Sequence, residues 1–163
     1  MYNINEQKNK CKKQRRKNIM RERIYKGFHP YINGKETIFI NGEEIKGDWI
    51  IGPGYKKEFN YEGKERYSIG SYASSAFYPL QKTILWSEVI PDTVSEYTSV
   101  DDVNDIKIFE HDKLSFGGKI GIVNYNGGCF CVKDISNKNN PAIDIVMNNY
   151  NDVKVLGNIF SNP

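Results

Sequence analysis

KIGIVNYNGGCFCVKD, Lys119 to Asp134, decides the fold class. Two runs rich in β-branched and aromatic residues flank Asn126-Gly127-Gly128, where glycine supplies the positive φ of a tight turn at no steric cost. This spacing predicts an antiparallel hairpin. The segments around it repeat the pattern: IKIF and DKLSF come before, AIDIVM and VKVLGNIF after, each a short apolar run closed by turn formers. Five or six such strands with tight turns read as a small barrel.

Working back from the hairpin, VIPDTVSEYTSVDDVNDIKIFEHDKL (Val89–Leu114) leads into the barrel. Pro91 ends one strand and TVSEYT supplies an extended piece. SVDDVND is a turn of Asx residues that hydrogen-bond their own backbone, and KIFEHDKL resumes the strands. Upstream, KTILWSEVI reads as a buried strand and GDWIIGPGY as a strand closed by Gly52-Pro53-Gly54. TIFINGEEI turns at Asn41-Gly42, a dipeptide that favours a hairpin, and ERIYKG reads as a short strand ending at Gly27. The Lys56–Leu80 stretch is polar and tyrosine-rich, with YSIGSYASSAFYPL read as one strand and a loop.

Charge is unevenly distributed. Residues 1–27 hold ten Lys/Arg against two acids, while residues 28–163 hold thirteen against eighteen. The cations gather in KNKCKKQRRKNIMRER, whose only apolar points, Cys11, Ile19 and Met20, form no continuous helical stripe. This predicts a flexible or helical basic arm. Lys8, Lys10, Lys12, Lys13, Arg15, Arg16, Lys17, Arg21 and Arg23 are its candidate contacts to a polyanion, which would bind with strongly salt-dependent affinity. A solvated tail and an acidic protein surface remain the competing readings. In the tyrosine-rich stretch, Tyr55, Tyr61, Tyr67, Tyr72, Phe77 and Tyr78 suit a protein-binding or base-stacking surface, against the alternative that they pack beneath a loop.

Signs of chemistry are weak. Cys129 and Cys131 share one face of a strand, but His29 and His111 lack metal-ligand spacing to them, so two small hydrophobes in the barrel wall are expected rather than zinc. Cys129 with His111 carries no nucleophile signature. Asp101, Asp102, Asp105, Glu110 and Asp112 lack the pattern of an EF-hand loop and read as turn chemistry. There is no phosphate-binding glycine loop. These readings predict no enzyme, no metal and no cofactor. Hydrophobic residues make up 39% of the 163, enough for a packed interior, and no run reaches the roughly 18 apolar residues of a membrane span. Three cysteines, an odd number, argue against a secreted disulfide framework. A cytoplasmic protein is expected.

Taken in order, RERIYKG, GDWIIG, Val89–Leu114, GIVNYNGGCFCV and KVLGNIFSNP resemble the YopX-like family of bacteriophage and prophage proteins, over roughly residues 21–163. The resemblance implies a mainly β (α+β) chain. A basic arm (1–21) precedes an N-terminal α+β segment (22–88), which can take part in subunit association, and an SH3-like β-barrel follows (89–163). Where the family pattern has Gly-Gln-Tyr-Thr-Gly and Glu-Gly-Asp, this chain has Ser95-Glu96-Tyr97-Thr98-Ser99 and Glu110-His111-Asp112. If position 111 needs positive φ, His111 carries about 1 kcal/mol of strain that glycine avoids.

The resemblance brings no settled activity. The expected function is therefore that of a phage or prophage accessory protein which binds nucleic acid or a host nucleoprotein complex, as in counter-defence, and forms a homo-oligomer. The alternative is a structural assembly protein without nucleic-acid contact.

Overall fold

The computed structural model describes residues 23–73, 83–135, 143–144 and 152–161. The first half runs through β1 (Tyr25–Pro30), β2 (Glu36–Ile40), β3 (Glu43–Gly52), β4 (Gly54–Phe59), β5 (Glu65–Ala73) and β6 (Thr83–Val89). A 3₁₀ turn at Pro91–Thr93 leads to β7 (Ser95–Asp101), β8 (Lys107–Phe109), β9 (Asp112–Phe116), β10 (Lys119–Asn126), β11 (Cys129–Asp134), β12 (Ile143–Asp144) and β13 (Lys154–Asn158). The chain is mainly β. Among the described residues there is no α-helix, so the described part of 22–88, expected as α+β, consists of strands.

Three antiparallel sheets form, with strand orders β2-β3-β1-β7-β8, β4-β5-β6 and β12-β11-β10-β9-β13. The glycine turns set their registers. Ile40 pairs with Glu43, Phe116 with Lys119 and Asn126 with Cys129, so each hairpin loop has two residues. Both loop residues have positive φ in every case: Asn41 51° and Gly42 83°, Gly117 53° and Gly118 73°, Gly127 60° and Gly128 86°. Such turns match the right-handed twist of the strands they join.

The third sheet curls into a half-barrel. Ile108, Leu114, Phe116, Val123, Phe130 and Val132 fill it, with Val100, Val153 and Val155 packed against them. The Asx turn expected in SVDDVND is present: the Asp102 carboxylate accepts from the Asn104 and Ile106 amides at 2.7 and 3.0 Å, and from Val155 of the following β13 segment at 3.0 Å.

The other two sheets meet where side chains are absent. A Cβ on Gly52 would lie 1.9 Å from the Gly70 carbonyl oxygen, so only glycine lets β3 cross β5 there. The chain then bends at Pro53 and continues as β4 in the neighbouring sheet, a strand that the polar sequence GYKKEF did not announce. β4 is an edge strand, largely solvated on both faces, so it lacks the alternation that marks a half-buried strand. β1 also outruns its expected end at Gly27 and continues to Pro30. Phe28 on β1 is fully buried, edge-on to Trp49, and its amide donates to Thr93 Oγ1 at 2.9 Å.

Candidate binding surface

The β4-β5-β6 sheet presents aromatic residues on both faces. Register assigns Tyr55, Lys57 and Phe59 of β4 and Tyr67 and Ile69 of β5 to one face. Its interior part is buried: Ile69 is fully covered, and Val89 of β6 packs on Gly27 of β1. Outward from there the rings of Tyr25, Tyr55 and Tyr67 form a ladder with centroids 5.3 and 6.2 Å apart. Burial, followed by the neighbouring Tyr67, raises the pKa of the Tyr55 hydroxyl above its ordinary range. Lys57 continues the row, with its ammonium 2.6 Å from Glu65 and over the rings of Tyr67 and Phe59 at 5.5 and 5.9 Å. The hairpin tip carries Phe59, 67% exposed, and Tyr61, 97% exposed.

The opposite face carries Gly54, Lys56 and Glu58 of β4, Arg66, Ser68, Gly70 and Tyr72 of β5, and Ile84, Trp86 and Glu88 of β6. The Trp86 ring occupies the space that Gly54 and Gly70 leave open, its nearest atoms 2.9 and 3.2 Å from where their Cβ atoms would sit. The Lys56 ammonium stands 4.8 Å from its centroid. Trp86, Ile84 and Leu85 are 44, 41 and 55% exposed. This corrects the buried reading of KTILWSEVI: the strand exists, but it is the outer strand of a small sheet, and only Val89 among its large apolar side chains is buried.

Both faces are electrically balanced. In the described part of 54–89, Lys56, Lys57, Lys64 and Arg66 stand against Glu58, Glu62, Glu65 and Glu88. Each cation has an acidic partner: Lys56 with Glu58, Lys57 with Glu65, Lys64 with Glu62, and Arg66 with Glu88.

The expected surface is thus split by the fold. Tyr55 and Tyr67 share one face, Tyr72 lies on the other and Tyr61 at the tip, while Phe77 and Tyr78 lie outside the described residues. Sequence reasoning missed Tyr25, Phe59, Ile84 and Trp86. Of these, Tyr25 and Phe59 carried a signal, an aromatic residue within a polar neighbourhood. Of the basic residues, Arg23 is exposed just before β1, and Lys8, Lys10, Lys12, Lys13, Arg15, Arg16, Lys17 and Arg21 lie outside the described residues.

One arrangement invites a catalytic reading. Ser95 Oγ lies 3.1 Å from His111 Nδ1. The hydroxyl is buried and donates to the Thr93 carbonyl at 3.1 Å, which leaves the imidazole to donate to it rather than to take its proton. The contact is that of an anchored ring, not an activated nucleophile. His111 has φ 67° and Ser99 φ 68°, so two positions that are glycine in the family pattern keep the glycine conformation. The Cys129 and Cys131 thiols donate to the Asn126 and Asn124 carbonyls. Cys131 is buried in the barrel wall and Cys129, at the mouth of the hairpin, is exposed. Among the described residues no group of three His, Cys, Asp or Glu side chains is placed to hold a metal ion, and no helix is long and apolar enough to cross a membrane.

No curated protein matches the chain. The family model described as YopX protein matches residues 23–163, β1 through the end of the C-terminal sheet. With only residues 1–22 outside that match, the chain belongs to the YopX family.

Proposed function

We propose that this protein is a non-enzymatic phage or prophage accessory protein that acts in the host cytoplasm as a homo-oligomer and binds a host protein or nucleoprotein complex, as an inhibitor of host defence does. The carrying observation is the aromatic ladder Tyr25-Tyr55-Tyr67 that runs out to Phe59 and Tyr61 at an exposed hairpin tip. Large rigid aromatic side chains give the most contact area for the least ordering entropy, which is why they anchor protein interfaces. Charge favours a protein over a polyanion at this sheet, because all four of its cations are already paired. We read the curled C-terminal sheet, a β9-β10-β11-β12 meander with β13 returning beside β9, as the SH3-like barrel of the family resemblance. Phage origin rests on family membership.

A second reading, direct nucleic-acid binding, is supported by the nine Lys/Arg between Lys8 and Arg23. The two are separated by a pull-down from bacterial lysate with and without nuclease, using wild type and the double variant Phe59→Ser/Tyr61→Ser. A host protein that survives nuclease and is lost from the variant supports the ladder. Recovery that the variant does not change overturns it, nuclease-sensitive recovery assigns the contact to the arm, and recovery of nothing leaves the assembly role.

A further inference from the structure

The β4-β5-β6 sheet has two edges, and the backbone groups that each one offers follow from register. The Asn60 amide donates to the Lys64 carbonyl at 2.9 Å in continuation of the β4-β5 pairing, so the even-numbered residues of these two strands bond each other. The odd-numbered residues of β5 are left to β6, whose odd-numbered residues bond back to them. The even-numbered residues of β6 therefore point their N–H and C=O groups away from the sheet. At one end these groups are taken: the Ile90 amide donates to the Phe28 carbonyl at 2.9 Å, and His29 Nδ1 donates to the Glu88 carbonyl at 2.6 Å. Among the described residues nothing bonds the outward groups of Ile84 and Trp86.

Proteins blunt open edges with charge, proline or a covering segment. β4 carries Lys56, Lys57 and Glu58 in succession, and on β2 the Phe39 amide donates to the Phe160 carbonyl at 2.9 Å. β6 has no such device over Ile84-Leu85-Trp86, the only run of three exposed large hydrophobic residues among the described ones.

From this edge we infer that a second copy of the chain docks by strand addition, β6 against β6, antiparallel about a two-fold axis that passes Leu85 perpendicular to the sheet. The open groups are symmetric about Leu85, as a two-fold contact requires. Ile84 and the partner's Trp86 exchange hydrogen bonds, as do Trp86 and the partner's Ile84, and Leu85 meets the partner's Leu85 at the close, non-hydrogen-bonded position between them. No group bonded within one chain has to change partner. The register centred on Trp86 would instead need the Glu88 carbonyl that His29 holds. Directly opposed residues share a face, so isoleucine packs beside indole on one face and leucine beside leucine on the other. A strand of alternating polarity would set polar side chains against one of these faces, which favours a copy of β6 over such a strand. The inference rests on the homo-oligomeric part of the proposed function. It makes one continuous sheet with β4 at both margins, so the two tyrosine ladders open on the same side and gain avidity for a repeated target.

Two kinds of variant test it. Light scattering of the full chain at tens of micromolar should give twice the 18.8 kDa chain mass. Ile84→Pro removes an outward N–H and no bond of the β5-β6 ladder, so circular dichroism should match the wild type while self-association weakens about tenfold or more. Leu85→Cys, in a chain with Cys11 and Cys129 replaced by serine, sets two thiols on a cross-strand pair with Cα atoms about 4.5 Å apart and should oxidise to a disulfide-linked dimer. Ser87→Cys in the same background stands more than about 13 Å from its copy and should not. Should Ile84→Pro fail to fold, the cysteine pair decides alone. A monomeric wild type overturns both this contact and the oligomer, and if Ile84→Pro then also loses the host protein in the lysate pull-down, the edge serves a foreign strand. A wild-type dimer that folded Ile84→Pro does not weaken, or that Leu85→Cys links no better than Ser87→Cys, overturns the contact and leaves the oligomer.

Discussion

Lys26 of β1 and Asp112 of β9 meet at 2.8 Å, joining the β2-β3-β1-β7-β8 sheet to the half-barrel through a nearly buried ion pair. The ammonium also lies over the rings of Trp49 and Phe109, at 5.0 and 4.8 Å. Asp112 accepts the Phe109 amide at 2.8 Å with its second oxygen. Burial pushes its carboxyl above the ordinary 3.8, against the opposing charge and hydrogen bond of Lys26. Neither partner is independent of the other.

Removing one partner should therefore harm more than removing both. Lys26→Met strands a buried carboxylate and should cost about 3 kcal/mol, and Asp112→Leu strands the ammonium at a similar cost. The double variant should recover at least about 1 kcal/mol relative to the sum of the two. Urea denaturation of the four proteins gives the coupling, and strict additivity would show that the pair is not a unit. The Lys26→Met deficit should also narrow at acid pH. A carboxyl whose folded pKa exceeds its unfolded one takes up protons on folding, so stability rises as pH falls through the folded value.

His111 tests the backbone strain directly. Replacement by alanine or by glycine removes the same imidazole, together with its contacts to Ser95 and to the Phe160 ring at 5.6 Å. The two variants differ only by a Cβ at φ 67°. His111→Ala should be less stable than His111→Gly by about 1 kcal/mol, although glycine has the more flexible unfolded chain. Equal melting temperatures would show that the position carries no strain.

Asp102 should dominate a different part of the acid limb. Burial opposes its ionisation, but the Val155, Ile106 and Asn104 amides outweigh this and hold its pKa below the ordinary 3.8. A group with a depressed folded pKa contributes stability above the unfolded value and loses it as pH falls through the folded one. Asp102→Asn turns an amide NH₂ toward the Val155 amide and should cost about 1–3 kcal/mol at neutral pH. It should also flatten the loss of stability below about pH 4, where Asp102 titrates. An unchanged acid limb in the variant would assign that loss to other carboxylates.

The arm is tested by salt. Lys12, Lys13, Arg15, Arg16 and Lys17 replaced by glutamine remove five potential phosphate contacts. If the arm binds duplex DNA, the slope of log affinity against log salt should flatten by up to about four units, similarly for every sequence. No nucleic-acid binding by the wild type at low salt would leave the ladder as the contact surface.

The sequence determined by itself what depends on neighbouring residues. Asn41-Gly42 and Asn126-Gly127-Gly128 fix hairpins because few other residues adopt their φ angles, and Asp102 fixes a turn because its carboxylate reaches amides two and four residues on. The alternation of DKLSF places Leu114 and Phe116 inside. Family membership was legible too, since these local signals occur in a characteristic order. Tertiary structure alone decided which strands lie at an edge. GYKKEF was not read as a strand because an edge strand exposed on both faces needs no alternation, and TILW looked buried because an apolar run does not reveal whether its sheet has a further strand or a covering layer. For the same reason the tyrosines could be singled out as a group but not divided between faces, and Trp86 could not be found at all. Its exposure is set by Gly54 and Gly70, 32 and 16 residues away in the chain. The meeting of Lys26 with Asp112 is likewise a product of the fold, because nothing local links residues 86 apart.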